Sequence, residues 1–332
     1  MSENQKSCVI VGAGISGLLT ANALTQGGWT VTLLDRGVVG GRMATRRVGA
    51  GTFDHGAQFF TVRGDRFAGL IEGWLKAGVA IEWTRGFADA EGQPNEDGHP
   101  RYRGSEGMAS IPKHIAQGID VRTGERVVGV DDGDDGWEIV CESGLRVAGD
   151  ALVLGTPVPQ ALDLISSGGY TLQDGARRQL EAVSYDPCLA LMVLLEGHTS
   201  VPEPGGMQIK GEPLDWISDN KRKGISAAPG ITIHAGPKWS RSHFEDGESE
   251  VVDSMISFAG HRLGVDLAPA VVETSLARWC YSWVTNPHPE PCLVASDDPP
   301  LLFCGDAFGQ PKVEGAALSG LAAADHLLGR NA

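Results

Sequence analysis

Near the N-terminus, Gly12-Ala13-Gly14-Ile15-Ser16-Gly17 has the spacing that lets a chain wrap a pyrophosphate. Gly12 permits a tight turn, Gly14 lets the backbone come close to the phosphates, and Gly17 lets the following helix pack against the strand before it. The first N–H groups of that helix, Ser16 among them, add the positive end of its dipole. Asp35 ends the next apolar run, beside Arg36, and can accept hydrogen bonds from a ribose diol. Together these residues describe a dinucleotide site without choosing the dinucleotide.

Three further motifs point to FAD. In Gly40-Gly41-Arg42-Met43, two glycines let the chain lie close to a cofactor, and Arg42 can reach a phosphate with a planar, multi-donor head. Leu302-Phe303-Cys304-Gly305-Asp306 ends an apolar run in Gly-Asp, whose carboxylate or amide can hold a ribityl chain or the phosphates. Glu314-Gly315-Ala316-Ala317 opens the last helix, and a helix N-terminus at the pyrimidine edge would stabilise the negative charge of a reduced flavin. Each motif alone also fits an ordinary turn or helix start; the combination is specific.

The elements that must hold these motifs follow from apolar patterning. Strands are expected at 7–11, 30–34, 120–122, 126–131, 137–141, 151–154, 180–195, 230–235 and 301–304, and helices at 18–24, 67–77, 108–116, 248–263 and 316–328. A turn is expected at 133–136, and the polar stretch 89–100 reads as a surface loop. With 332 residues, the chain has room for two domains. A net charge of −15 disfavours nucleic acid as a partner, and no basic patch addresses anionic lipid. No apolar run is long enough to span a bilayer and no signal-peptide pattern opens the chain, so a cytoplasmic location is expected. The six cysteines fit no zinc spacing; reduced thiols and no metal are expected.

The cofactor motifs resemble the amine-oxidase-like branch of two-domain FAD proteins. Within it the chain resembles the renalases over most of its length, through Gly40-Gly41-Arg42-Met43, Gly56-Ala57-Gln58-Phe59-Phe60, Leu180-Glu181-Ala182-Val183-Ser184-Tyr185, Asp219-Asn220-Lys221, Ile233-His234, Arg278-Trp279 and Gly305-Asp306. The resemblance implies an α/β fold in two domains. A Rossmann-type FAD-binding domain on a parallel sheet would use 1–60, 104–157 and 288–332, and an interleaved substrate domain on a mixed sheet would use 61–103 and 158–287. It places Val127 beside the adenine, and Thr156, Gln58 and Phe59 near a non-covalent FAD. It implies an oxidase that takes hydride from 2- or 6-dihydro-NAD(P), a nicotinamide dinucleotide, with O2 as acceptor, giving NAD(P)+ and H2O2.

Such a substrate needs no proton removed, so the expected substrate residues are positioning groups and no general base is assigned. Gln58, Phe60, Tyr185, His234, Tyr281 and Trp283 are the candidates, with Trp216 and Trp279 as further walls; each also fits ordinary packing. In an extended Trp279-Cys280-Tyr281-Ser282-Trp283, the odd positions share one face. Lys221-Arg222-Lys223 is either a cationic pocket mouth or a solvated turn. A monoamine or polyamine oxidase, or a desaturase, is the alternative. Such amine oxidases usually carry a tyrosine where this chain has Lys312, and a lysine in a substrate-domain strand; 183–195 has none. A partner-binding protein of the same fold without catalysis is the remote alternative.

Overall fold

In the strand Ser7–Val11, Cys8 to Val11 are apolar because they are buried on both faces, as a central parallel strand must be. It pairs in parallel with Thr30–Asp35 on one side and Ala151–Leu154 on the other. Asp120–Thr123 extends the sheet beyond Thr30–Asp35, Pro300–Phe303 extends it beyond Ala151–Leu154, and Leu293–Asp297 closes that edge antiparallel. The computed structural model describes residues 5–133 and 136–330. It divides into two units: Met1–Gly41, Pro112–Ser184 and Val284–Ala332 form the first, and Arg42–Ile111 and Tyr185–Trp283 the second.

In the first unit, two helices lie against each other through glycine. A Cβ on Gly17 of the helix Ile15–Gln26 would sit 2.1 Å from the Gly12 carbonyl oxygen. One on Gly320, of the helix Lys312–Leu327, would sit 2.2 Å from the Ser16 oxygen. The Thr20 hydroxyl reaches the Gly320 carbonyl at 2.8 Å across this contact. A separate three-stranded antiparallel sheet is made by Val127–Gly133, Gly136–Cys141 and Arg146–Gly149. The helix Val158–Ser167 packs on it so closely that a Cβ on Gly168 would meet the Val130 oxygen at 1.9 Å.

The second unit is a seven-stranded mixed sheet in the order Val271–Asn286, Ser184–Leu195, Gly230–Ala235, Leu214–Asp219, Gly206–Gln208, Ala80–Ala88, Pro94–Gly104. Residues alternate across its plane. Leu189, Leu191, Val193, Ile231 and Ile233 face the helix Glu248–Leu263, whereas Ala190, Met192 and Leu194 face Val48 and Phe53 of the hairpin Thr45–Val48 and Gly51–Asp54. Among the described residues, no helix is long and apolar enough to cross a membrane.

Several expectations are corrected. The stretch 89–100 is not a loop: it holds the Asp89 turn, whose carboxylate accepts from the amides of Glu91 and Gln93, and the start of the strand Pro94–Gly104. That strand lies at the sheet edge with its first half exposed, so it carries no apolar alternation to read. The stretch 180–195 starts as the end of the helix Asp174–Glu181, and the strand begins only at Ser184. The last helix begins at Lys312, four residues before 316. The turn at 133–136 includes Asp134 and Asp135, which lie outside the described residues. The two units are divided by packing, whereas the stretches 1–60, 104–157 and 288–332 were expected by cofactor binding. Residues 42–60 and 104–111 group with the mixed sheet, through packing such as that of Val48 and Phe53, and 158–184 group with the parallel one.

Gly320→Ala tests the helix contact. An alanine normally favours a helix by about 0.5–1 kcal/mol over glycine, but here overpacking costs about 1–3 kcal/mol, so thermal melting should show a net loss. Gly69→Ala, in the helix Asp65–Lys76 with nothing within 4 Å of the added Cβ, should show the gain alone.

Candidate functional site

The phosphate-type loop of the first unit is built around backbone that only glycine accepts. Gly12 has φ +110°, and its N–H donates to the Leu34 carbonyl at 2.8 Å. Asp35 braces the loop: Oδ2 accepts the Ala13 N–H at 2.7 Å, and Oδ1 accepts that of Gly37 at 2.7 Å. Gly40 donates to the Ala13 carbonyl at 2.8 Å, which brings Gly41 to the same place; a Cβ on Gly41 would lie 3.4 Å from Gly14 Cα. A Cβ on Gly14 itself would meet nothing within 4 Å, and the helix that starts there has no side-chain cap.

Around that open backbone the Gly155-Thr156 peptide lies 3.0–3.2 Å from a would-be Gly12 Cβ, and the buried Thr156 hydroxyl has no hydrogen-bond partner. An uncapped helix start, an open glycine face and an unsatisfied hydroxyl suit an anionic, hydroxyl-rich group such as a ribose diphosphate. Gly305 has φ +141° and donates to Ser319 Oγ at 2.9 Å, turning the chain into half-buried Asp306. Glu314, Gly315 and Ala316 are buried in the first turn of the last helix, where a Cβ on Gly315 would lie 1.5 Å from the Gln310 oxygen. Lys312, exposed, holds φ +79°, a conformation that costs a lysine about 1–3 kcal/mol. Val127 is buried and Arg36 exposed.

The remaining predicted residues fall in the second unit. Arg42 Nη1 donates to the Tyr281 carbonyl at 3.1 Å, and Met43 is buried. Gly56 lies against Arg42, with a would-be Cβ 2.1 Å from its carbonyl oxygen, and Ala57 donates to that carbonyl at 2.8 Å. This contact sets the start of the segment that carries Gln58. Gln58 Nε2 donates to the Asp54 carbonyl at 2.7 Å and lies 3.4 Å from His234 Nε2, while Oε1 accepts from Ser218 at 2.9 Å. His55 stacks on Trp279, ring centroids 5.2 Å apart, and its buried Nδ1 has no partner. Tyr185 meets Tyr281 edge to face at 5.5 Å. Residues 279–283 are extended within Val271–Asn286, so Trp279, Tyr281 and Trp283 do share a face, with Trp283 at the exposed end. Phe59 packs on Phe87 and Trp216.

Phe60 is placed differently from expectation. Its ring is buried among Phe67, Trp74 and Tyr102, where it fastens the helix Asp65–Lys76 to the sheet. The tripeptide Lys221-Arg222-Lys223 is neither a cationic mouth nor a solvated turn throughout. Arg222 pairs with Glu203, and Lys223 is wholly buried, 2.6 Å from the equally buried Asp54. Asp54 and His55 were absent from the expected site, and Lys223 was expected only as part of a pocket mouth or a turn. The only sequence signal for the first two is their place directly before Gly56-Ala57-Gln58.

Both histidines are held neutral at neutral pH. Burial, and next the charge of Arg46, lowers His55 from 6.5 to about 4 against the pull of Asp54. Burial, then His55 and Lys223, lowers His234 to about 3, opposed by a hydrogen bond with the His55 main chain. Burial pushes the Cys304 thiol up to about 11, which removes it as a nucleophile at neutral pH.

Comparison with known proteins adds the family context. The model described as flavin containing amine oxidoreductase matches residues 73–328, and that of an NAD(P)-binding Rossmann-like domain matches 10–72. The chain is 27% identical to mouse (Mus musculus) renalase over 335 residues, 94% of this chain and 96% of that protein. Its fold is shared with a candidate protoporphyrinogen oxidase from Exiguobacterium sp. 255-15, at TM-score 0.77, 12% identity and coverage of 98% and 99% of the two chains. It is also shared with putrescine oxidase bound to putrescine, at TM-score 0.74, 16% identity and coverage of 98% and 100%.

The two histidines make stability depend on pH. In the unfolded chain each takes up a proton near 6.5, but in the fold only near 4 and 3. Their neutral burial is therefore compatible with full stability above pH 6.5, and stability is lost as pH falls from there towards 4. Melting temperature measured from pH 8 to 4 should show that decline, and His55→Leu should flatten part of it.

Proposed function

Since the chain belongs to the flavin containing amine oxidoreductase family, and is an FAD-dependent oxidoreductase that acts on a small molecule, we propose that it oxidises dihydronicotinamide dinucleotides. The substrates are 2- or 6-dihydro-NAD(P), and the products NAD(P)+ and H2O2. FAD, when bound, supplies the hydride acceptor and passes the electrons to O2. One proton is taken up per turnover, for the peroxide.

The chain's residues bind and orient. The loop Gly12, Ala13, Gly14, Ser16 and Gly17 takes the pyrophosphate, and Asp35 and Arg36 the adenosine ribose side. Val127 lies at the adenine, Thr156 supplies a hydroxyl donor, and Gly41, Arg42 and Met43 close on the phosphates. Gly305, Asp306, Glu314, Gly315 and Ala316 hold the ribityl and pyrimidine end, and Gln58 and Phe59 face the ring system. Gln58, His234, Tyr185, Tyr281 and Trp283 orient the substrate, joined by His55 and Trp279.

The observation that carries this reading is the weak basicity of the substrate side. His234 and His55 take up protons only near 3 and 4, and Lys223 is committed to Asp54. An alkylammonium substrate must lose a proton before it gives up hydride, and imidazoles so depressed are poor acceptors for it. A dihydronicotinamide gives hydride with no proton to remove. The strand Ser184–Leu195 also carries no lysine, and Lys312 occupies the start of the last helix.

Anaerobic mixing with 2- or 6-dihydro-NAD should bleach the flavin absorbance within seconds, and simple monoamines should leave it. Bleaching by amines, with indifference to both dihydronicotinamide isomers, overturns the reading. For the cofactor residues, Asp35→Ala and Thr156→Val should each lower FAD retention through gel filtration. Undiminished flavin in both variants would show that these two side chains do not hold it.

A further inference from the structure

The segment that carries Gln58 begins at one member of a buried ion pair. Lys223 Nζ lies 2.6 Å from Asp54 Oδ2, and neither side chain has exposed surface. Every polar atom of Asp54 is engaged. Oδ1 accepts from the Thr45 hydroxyl at 2.6 Å and the Met108 amide at 2.8 Å. Its carbonyl accepts from Gln58 Nε2 at 2.7 Å and the Thr232 hydroxyl at 3.0 Å, and its N–H donates to Asn220 Oδ1 at 3.4 Å. Lys223 is placed by a turn that Asp219 caps, its own N–H donating to the Asp219 carbonyl at 2.8 Å. Its ammonium lies 5.1 Å from the Trp83 ring.

The Asp54 carbonyl fixes which way Gln58 faces. It and the Gly56 carbonyl, at 2.7 and 3.2 Å, both meet one end of the Gln58 amide. Carbonyls only accept, so that end is the nitrogen. The same nitrogen faces His234 Nε2 at 3.4 Å. The NH2 has two hydrogens for these three neighbours, and a hydrogen shared between Gly56 and His234 favours a neutral imidazole with Nε2 as acceptor and the proton on Nδ1. A chain of contacts thus runs from Asp54 through Gln58 to His234. An apolar pair of the same volume would hold the core at least as stably as buried charges, so stability alone gives no reason for charge here.

We propose that Asp54 and Lys223 are positioning residues: their ion pair holds the segment from Asp54 to Gln58 in place, and thereby sets the Gln58 amide and the His234 tautomer that orient the substrate. This rests on the substrate reading above only in its last step.

The test uses FAD-loaded protein with 15N-labelled histidine, as wild type, as Lys223→Met and as Asp54→Asn with Lys223→Met. The single variant leaves an unpaired buried carboxylate and should melt well below wild type. The double variant removes both charges and should melt close to wild type. With FAD occupancy kept, it should nevertheless lose the single His234 tautomer, and its flavin should be reduced by dihydro-NAD more slowly by up to about 10²-fold. A double variant whose His234 signals and reduction rate both match wild type overturns the inference. A wild-type enzyme that no dihydronicotinamide isomer reduces sinks the substrate reading alone, and the tautomer comparison then decides this inference by itself.

Discussion

The Ser16 carbonyl and Gly320 Cα stand 304 residues apart in the chain, yet no side chain fits between them. That backbone contact is the constraint on which the first unit depends. The unit is assembled from three separated stretches of chain, and the last is held by its helix against Ile15–Gln26. Thr20 spans the contact with a hydroxyl bonded to both helices, and Gly17 lets the first helix sit on the Gly12 turn. The position of the uncapped N-terminus at Gly14 is set by these approaches, with Asp35 bracing Ala13 from the far side. A methyl group at Gly17 or Gly320 displaces the helix that a pyrophosphate would meet, so packing and binding are one geometric problem here.

In the second unit the governing cost is desolvation. A mixed sheet covered on both faces leaves its polar side chains little water, and many of them are answered by a specific partner. Asp54 and Lys223 answer each other, Ser218 and His234 meet the two ends of Gln58, and Asn220 bonds Thr232. The same burial holds both histidines neutral. A site so arranged aligns groups well and moves protons poorly, which fits a donor that already carries a transferable hydride.

Legibility in the sequence followed burial. Continuous apolar runs such as 151–154 mark central strands without ambiguity, and the helix Glu248–Leu263 keeps its apolar stripe on one face. Pro94–Gly104 was missed because an edge strand facing water has no such signature, and its turn residues imitate a loop. The cofactor loops were legible because their glycines are required by local geometry: φ +110° at Gly12 and +141° at Gly305 leave little other choice. The Asp54–Lys223 pair was not, because its partners stand 169 residues apart and a lysine among lysines and arginines reads as a solvated turn. Phe60 shows the converse, since its place in a resembling motif gave no hint that Phe67 and Trp74 would enclose it.

Among the described residues, the buried polar atoms without protein partners include Thr156 Oγ1 in the first unit and His55 Nδ1 and Trp216 Nε1 in the second. Each such atom costs about 1–3 kcal/mol if unmet, so a ligand that meets one gains affinity and stabilises the fold by linkage. Their chemistry discriminates between ligands. A hydroxyl can serve a phosphate or a ribose. The indole N–H of Trp216 can only donate, so whatever meets it must bring an acceptor. A protonated alkylamine has none to offer, whereas the carboxamide of a nicotinamide offers both an acceptor oxygen and donor N–H groups. Trp216 lies next to His234 in strand register, on the face where Gln58 is held. The polar demand of that face, like its weak basicity, suits the substrate proposed above better than a cationic amine.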